Sequence, residues 1–213
     1  MQPERIIGIA DLHGCYKLFR KLIEEKIRPR KDKDLLICLG DYIDRGSESA
    51  LLLEYIRDLM DEYGKNFIRL MGNHEWMALS YFRCSDDQER RRQWDIWMGN
   101  GGKATIESLK EEGLELSDLK TFLDGLKHFH ETDSHIFAHG GIPPGKTLKT
   151  VNIEELLSNR DFGYHGKPLV VGHIIHREVT FYPCVTAVDT GAFQYGRLSA
   201  FDVVNREIYS AER

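Results

Sequence analysis

Five short clusters carry the polar chemistry of this chain: Asp11-Leu12-His13-Gly14, the stretch GDYIDRG at residues 40–46, Gly72-Asn73-His74-Glu75, His139-Gly140-Gly141 and Gly172-His173. Each sets Asp, His, Asn or Arg beside a glycine, and each follows an apolar run. Carboxylate oxygen and imidazole nitrogen suit Zn, Mn or Fe(II). The lack of cysteine donors argues against a structural zinc, and the histidines against an oxygen-only calcium loop. The donors are too many for one catalytic metal with open positions. They suit two metals sharing a bridging carboxylate, roughly 3.5–4 Å apart, which activate water and clamp a phosphoryl oxygen. Arg45, close to Asp41, offers a planar fork to phosphate oxygens. If Asn73 holds metal, His74 lies over the substrate as a general acid for a leaving alkoxide. Asp44 is the carboxylate to orient that imidazole and favour its charged form.

The runs before the clusters must position them. Residues 5–10 (RIIGIA), 34–40 (DLLICLG) and 66–72 (NFIRLMG) read as strands. Between them, residues 16–27 place Leu18, Phe19, Leu22 and Ile23 at helical spacing, and residues 49–64 form a long amphipathic helix closed by Gly64. This alternation predicts βαβ units and a largely parallel sheet. Ligands of open α/β sheets bind beyond the carboxyl ends of strands, where the clusters stand. Residues 76–126 are mostly helical and charged, and read as a helical insertion or cap. The last third is β-rich: HIFAHGG, PLVVGH, EVTFYP, VTAVDTGA, LSAFDV and REIYS are successive strands. The fold class is α/β (α+β), one domain over residues 1–213 with two sheets.

A formal net charge of −5, from 34 acidic and 29 basic residues, argues against a nucleic-acid partner. Cys15, Cys38, Cys84 and Cys184 form no C-x-x-C pair and read as reduced thiols. No signal peptide and no membrane-length apolar run is present, so the expected location is cytoplasmic.

The motifs ADLHG, GDYIDRG, GNHE, HGG and GH stand in the order found in the PPP-type metallophosphatases, which have the calcineurin-like metallophosphoesterase fold. The resemblance spans residues 6 to 191. It implies a β-sandwich flanked by helices with a dinuclear metal centre at the sheet edge. Carried over motif by motif, Asp11 and His13 hold the first metal, Asp41 bridges, and Asn73, His139 and His173 hold the second. Arg45 and His74 contact the substrate phosphate, and Asp44 pairs with His74. A metal-bound water attacks phosphorus in line, without a covalent intermediate. The metals implied are two divalent ions, Mn first, with Fe or Zn fitting the same donors. A second phosphate-binding arginine of the family matches Arg160 in LLSNR, where this chain lacks the tryptophan that often precedes it.

The length and the segment WDIWMGNGGKAT resemble the small bacterial and phage members. The reading is therefore a bacterial Ser/Thr protein phosphatase acting on phosphoproteins or phosphopeptides. The alternative is a symmetrical diadenosine tetraphosphatase or other nucleotide polyphosphate hydrolase, with the cap deciding between them. A non-enzymatic scaffold is disfavoured because every expected ligand is present. Trp94 and Trp97, at i and i+3, read as cap packing rather than a base platform. The QERRRQ run reads as a solvated face, and His176 as structural.

Overall fold

The computed structural model describes residues 3–213; Met1 and Gln2, which begin the N-terminal segment read above, lie outside the described residues. β1 (Arg5–Ile9) leads to α1 (Tyr16–Lys21), which runs on as a π-helical stretch over Leu22–Ile27. β2 (Asp34–Cys38), α2 (Ser49–Tyr63) and β3 (Phe67–Arg69) follow. Next come α3 (Asn73–Arg83), α4 (Asp87–Trp97), a π-helical turn over Met98–Gly102, α5 (Lys103–Glu111) and α6 (Leu116–Asp124). β4 (Phe129–Glu131), β5 (Ile136–Ala138), α7 (Ile153–Ser158), β6 (Leu169–Val171), β7 (Thr180–Phe181) and β8 (Val185–Ala187) form the next block. The short helix α8 (Ala192–Tyr195), then β9 (Arg197–Asp202) and β10 (Glu207–Glu212), complete the order.

The strands form two sheets, ordered β10-β9-β1-β2-β3 and β4-β5-β6-β8-β7. Alternation sorts their side chains. Ile6, Leu35, Ile37 and Leu39 point between the sheets, against Phe137, Val170 and Val188. Ile7, Ile9, Leu36 and Cys38 point the other way, onto the helices. Strands covered on both faces read as unbroken apolar runs, which is why DLLIC carries no polar alternation.

The expectation of a largely parallel sheet needs correction. β1, β2 and β3 are parallel neighbours, but β9 pairs antiparallel with both β1 and β10. The second sheet is likewise parallel at its centre and antiparallel at both edges. The short connections from β4 to β5, β7 to β8 and β9 to β10 leave no room for a crossover, so these pairs must be hairpins. The five strands that carry the clusters are thus divided between two facing sheets.

The β1–β2 pairing is pinned at its start. Arg5 and Arg30 reach the buried carboxylate of Asp34 at 2.6 and 2.7 Å. Burial opposes ionisation of Asp34, but hydrogen bonds from both arginines outweigh it and bring its pKa down to about 2. A folded-state value below the unfolded one makes the stabilisation full above about pH 4, and it is lost as pH falls towards 2. Asp34→Asn is expected to cost about 2 kcal/mol near neutral pH. Denaturant unfolding of both proteins across pH should show the gap closing in acid; a constant gap would refute this account.

Candidate functional site

The loops after β1, β2, β3, β5 and β6 meet at one rim and are stitched together by their backbones. Leu12 and His13 donate N–H to the Asp41 carbonyl, Gly14 to Tyr42, and Gly172 to His139. Gly72 lets the third loop close on the second: a Cβ there would lie 2.1 Å from Asp41 Oδ1. His13, Asp41, Asp44, Arg45 and His173 all sit at positive φ, between 40° and 72°. Non-glycine residues adopt this region at a cost that the surroundings must sustain.

Asp41 is at the centre. It belongs to two donor groups, one with His13 and His74 and one with His139 and His173, each able to converge on a cation. Asp41 Oδ2 lies 3.3 Å from His13 Nε2, and Oδ1 lies 3.4 Å from His139 Nε2. Asn73 Oδ1 lies 2.9 Å from the same His139 nitrogen. The other ring nitrogens are already committed: His13 Nδ1 contacts the Ile43 carbonyl at 2.9 Å and His139 Nδ1 the Leu39 carbonyl at 3.1 Å. These contacts orient both Nε2 atoms inward, the usual arrangement behind metal-bound histidines. His173 Nε2 is buried with no hydrogen-bond partner among the described residues, so a donor atom is left for a cation to satisfy. Asp11 holds the backbone N–H of His173 at 3.0 Å, and its Oδ1 lies 3.9 Å from His139. The residues fit a metal, and Asp41 is common to both donor groups.

Beside this cluster, His74 Nδ1 meets Asp44 Oδ2 at 2.7 Å, with both side chains buried. Arg45 Nη1 rests against His13 Nε2 at 3.0 Å. Arg160 is exposed just beyond α7, and its charge reaches His173.

Residues 4–193 match the model of the calcineurin-like phosphoesterases. The chain belongs to the calcineurin-like phosphoesterase family. Among relatives, it is 30% identical to serine/threonine-protein phosphatase 2 of Salmonella typhimurium, over 92% of this chain and 91% of that one. It is 24% identical to the symmetrical bis(5'-nucleosyl)-tetraphosphatase of Nitrosospira multiformis, over 70% of this chain and 47% of that one. A solved protein serine/threonine phosphatase from Saccharomyces cerevisiae shares the fold at a TM-score of 0.66 and 17% identity, covering 98% of this chain and 80% of that one.

In this phosphoesterase the loop after β2 is held by a residue to which sequence reading gave no role. Glu75 is fully buried and accepts the N–H groups of Asp41, Tyr42, Ile43 and Gly72, at 2.7 to 3.2 Å. Its position was legible: a Glu at the third residue of α3 commonly folds back on the helix start. Trp97 and Thr105 also reach the site, through Asp44. Trp97 is buried against Tyr81, Phe82 and Trp94, as the packing reading has it. His176 spends its ring nitrogens on the Ile174 carbonyl and the Tyr182 hydroxyl, a structural role. Arg90 and Arg92 pair with Asp87 and Glu89 on the solvated face.

The phosphoesterase site is electrostatically divided. Burial lowers the pKa of His13 and of His173 to about 3, so both stay neutral and available as ligands. Burial works against the charged form of His74 too, but Asp41 and Asp44 outweigh it and raise its pKa. His139 is also buried, yet the charges of Asp41 and Asp11 lift it to about 10. A ligating imidazole is neutral, so His139 must shed this proton when a cation is held. Metal uptake at neutral pH is therefore expected to release at least about one proton, with affinity falling about tenfold per pH unit as pH drops. Calorimetric titration of the metal-free protein in buffers of different ionisation enthalpy measures this; identical heats in all buffers would refute it.

Proposed function

We propose that the protein is a metal-dependent serine/threonine protein phosphatase of the bacterial cytoplasm. One observation carries this choice within the family: the likeness to the Salmonella phosphatase runs along nine-tenths of both chains. The tetraphosphatase relative is matched over only 47% of its length. Trp94 packs against Tyr81 and Trp97 in the aromatic cluster of α3 and α4, which favours a packing role over a nucleobase platform. Its four free cysteines suit a reducing compartment.

Asp11, His13, Asp41, Asn73, His139 and His173 would hold two divalent ions, Mn the preferred pair, with Asp41 between them. Such a pair, when bound, supplies Lewis-acid stabilisation of phosphoryl oxygens and an acidified water. The protein's own residues do the rest. His13 Nε2 has one lone pair, so with a cation held there it would no longer accept from Arg45, which lies 3.0 Å away. The Arg45 guanidinium would then be free to bind a phosphoryl oxygen, with Arg160 at the mouth as a second anchor. His74, its Nδ1 held by Asp44, turns Nε2 toward the leaving oxygen and gives it a proton.

The test is turnover after reconstitution with Mn²⁺, comparing a phosphothreonine peptide with diadenosine tetraphosphate. The peptide is expected to have the higher kcat/KM. A preference of more than about tenfold for the dinucleotide, roughly 1.4 kcal/mol, would replace this reading with nucleotide hydrolysis.

A further inference from the structure

Asp44 is fully buried, and its surroundings account for both of its oxygens. Oδ2 meets His74 Nδ1 at 2.7 Å. Thr105 donates its hydroxyl to Oδ1 at 2.7 Å, and the same hydroxyl accepts the Asp44 backbone N–H at 2.8 Å. The indole N–H of Trp97 reaches both oxygens, at 3.0 and 3.1 Å. Trp97 ends α4 and Thr105 lies in the first turn of α5, so the two donors flank the π-helical turn over Met98–Gly102. That turn also meets the next residue of the loop. The Gly101 carbonyl accepts the Arg45 N–H at 3.4 Å. Gly101 has φ 106°, and a Cβ there would crowd Arg45 N at 3.1 Å, so the approach depends on glycine. Asp44 and Arg45 themselves stand at φ 72° and 68°, a conformation that needs outside support.

We propose that Trp97 and Thr105 are positioning residues for proton transfer, holding the Asp44 carboxylate so that His74 stays aimed at the leaving oxygen. The helical segment thereby takes part in the chemistry through its π-helical turn. This rests on the reading of His74 as the general acid. In that step water bonds to phosphorus, passing a proton to solvent, as the bond to the leaving oxygen breaks. The electron pair stays on that oxygen, which takes the proton from His74 Nε2, and solvent later restores it. With Trp97 or Thr105 removed, the carboxylate is free to turn, and the imidazole loses its alignment. The cost falls on proton delivery and not on phosphate binding.

Leaving-group dependence separates this role from a structural one. An alkoxide needs the proton; 4-nitrophenolate leaves without it. Thr105→Val and Trp97→Phe are expected to lower kcat on a phosphoserine peptide by roughly 10- to 100-fold, with KM unchanged. On 4-nitrophenyl phosphate the loss should stay below about threefold, as the acid's contribution is small there. Thr105→Ser keeps the hydroxyl and should restore peptide turnover. Trp94→Phe, in the same aromatic cluster but without contact to Asp44, is the control. In the metal-free protein, the His74 Nδ1–H proton resonance should exchange with water faster in Thr105→Val than in wild type. Thermal unfolding checks that each variant folds; should Trp97→Phe fail, the Val and Ser variants at position 105 carry the test. Equal losses on both substrates, or no loss on the peptide, would overturn the positioning role alone. Wild-type protein that releases phosphate from neither substrate would overturn the functional reading beneath it.

Discussion

Asp41→Asn is expected to lower kcat/KM for phosphate release by about a thousandfold or more, some 4 kcal/mol of barrier, while the chain still folds. The substitution is close to isosteric, and asparagine tolerates the φ of 51° at this position. What it changes is the charge between the two donor groups. Burial opposes ionisation of Asp41, but the imidazoles of His139 and His74 overcome this and hold its carboxyl well below the usual range. An amide offers one acceptor where the carboxylate offers two, and it carries no charge to bring cations together. The metal content after Mn²⁺ loading should therefore fall, and metal should raise the Tm of the variant far less than that of wild type. Elemental analysis, thermal unfolding and turnover together decide it. Undiminished turnover would remove Asp41 from the mechanism.

The largest stability loss is expected at Glu75. Its carboxylate terminates four backbone N–H groups from two loops, which have no other acceptor among the described residues. Burial and the charge of Asp41 push its pKa up to about 7, while the His74 imidazole and the Gly72 N–H pull the other way. Glu75→Ala leaves these donors stranded in the interior, where each costs about 1 kcal/mol or more. The expected total is about 4 to 5 kcal/mol, or roughly 10 °C or more in Tm for a chain of this size. Glu75→Gln keeps one acceptor but turns an NH₂ group on the remaining donors, so it should be intermediate. Denaturant unfolding of metal-free protein measures the loss without any contribution from ligation. A change below about 1 kcal/mol would mean that the loops find other partners.

Much of this architecture was legible because the local signals agree. Apolar runs ending in Gly-flanked Asp, His and Asn mark strand ends, and strand ends in α/β proteins meet at a rim. The structure brings Asp11, His13, Asp41, Asn73, His74, Asp44, Arg45, His139 and His173 together there. Arg160 stands further out, without a hydrogen bond to the others. The division of the strands between two sheets was less legible, since a strand buried on both faces reads the same in either. β4 was missed because FHE has only three residues and two exposed side chains. α7 was missed as a helix because its six residues complete fewer than two turns. The partners of Asp44 were hidden for another reason. Trp97 and Thr105 lie more than fifty residues from it in sequence, and no local pattern signals a contact at that range.

The left-handed backbone at the rim bears on how this chain would drift under different selection. At Arg45 and His173, whose side chains are exposed or half-buried, glycine would fit the backbone with less strain than the residue present, by about 1 kcal/mol, whereas at His13, Asp41 and Asp44 it would strand buried hydrogen-bond partners. A library sorted only for thermal resistance or expression should therefore enrich glycine at positions 45 and 173 and strip the rim of part of its chemistry. One sorted for turnover should retain the strained residues and gain its stability elsewhere.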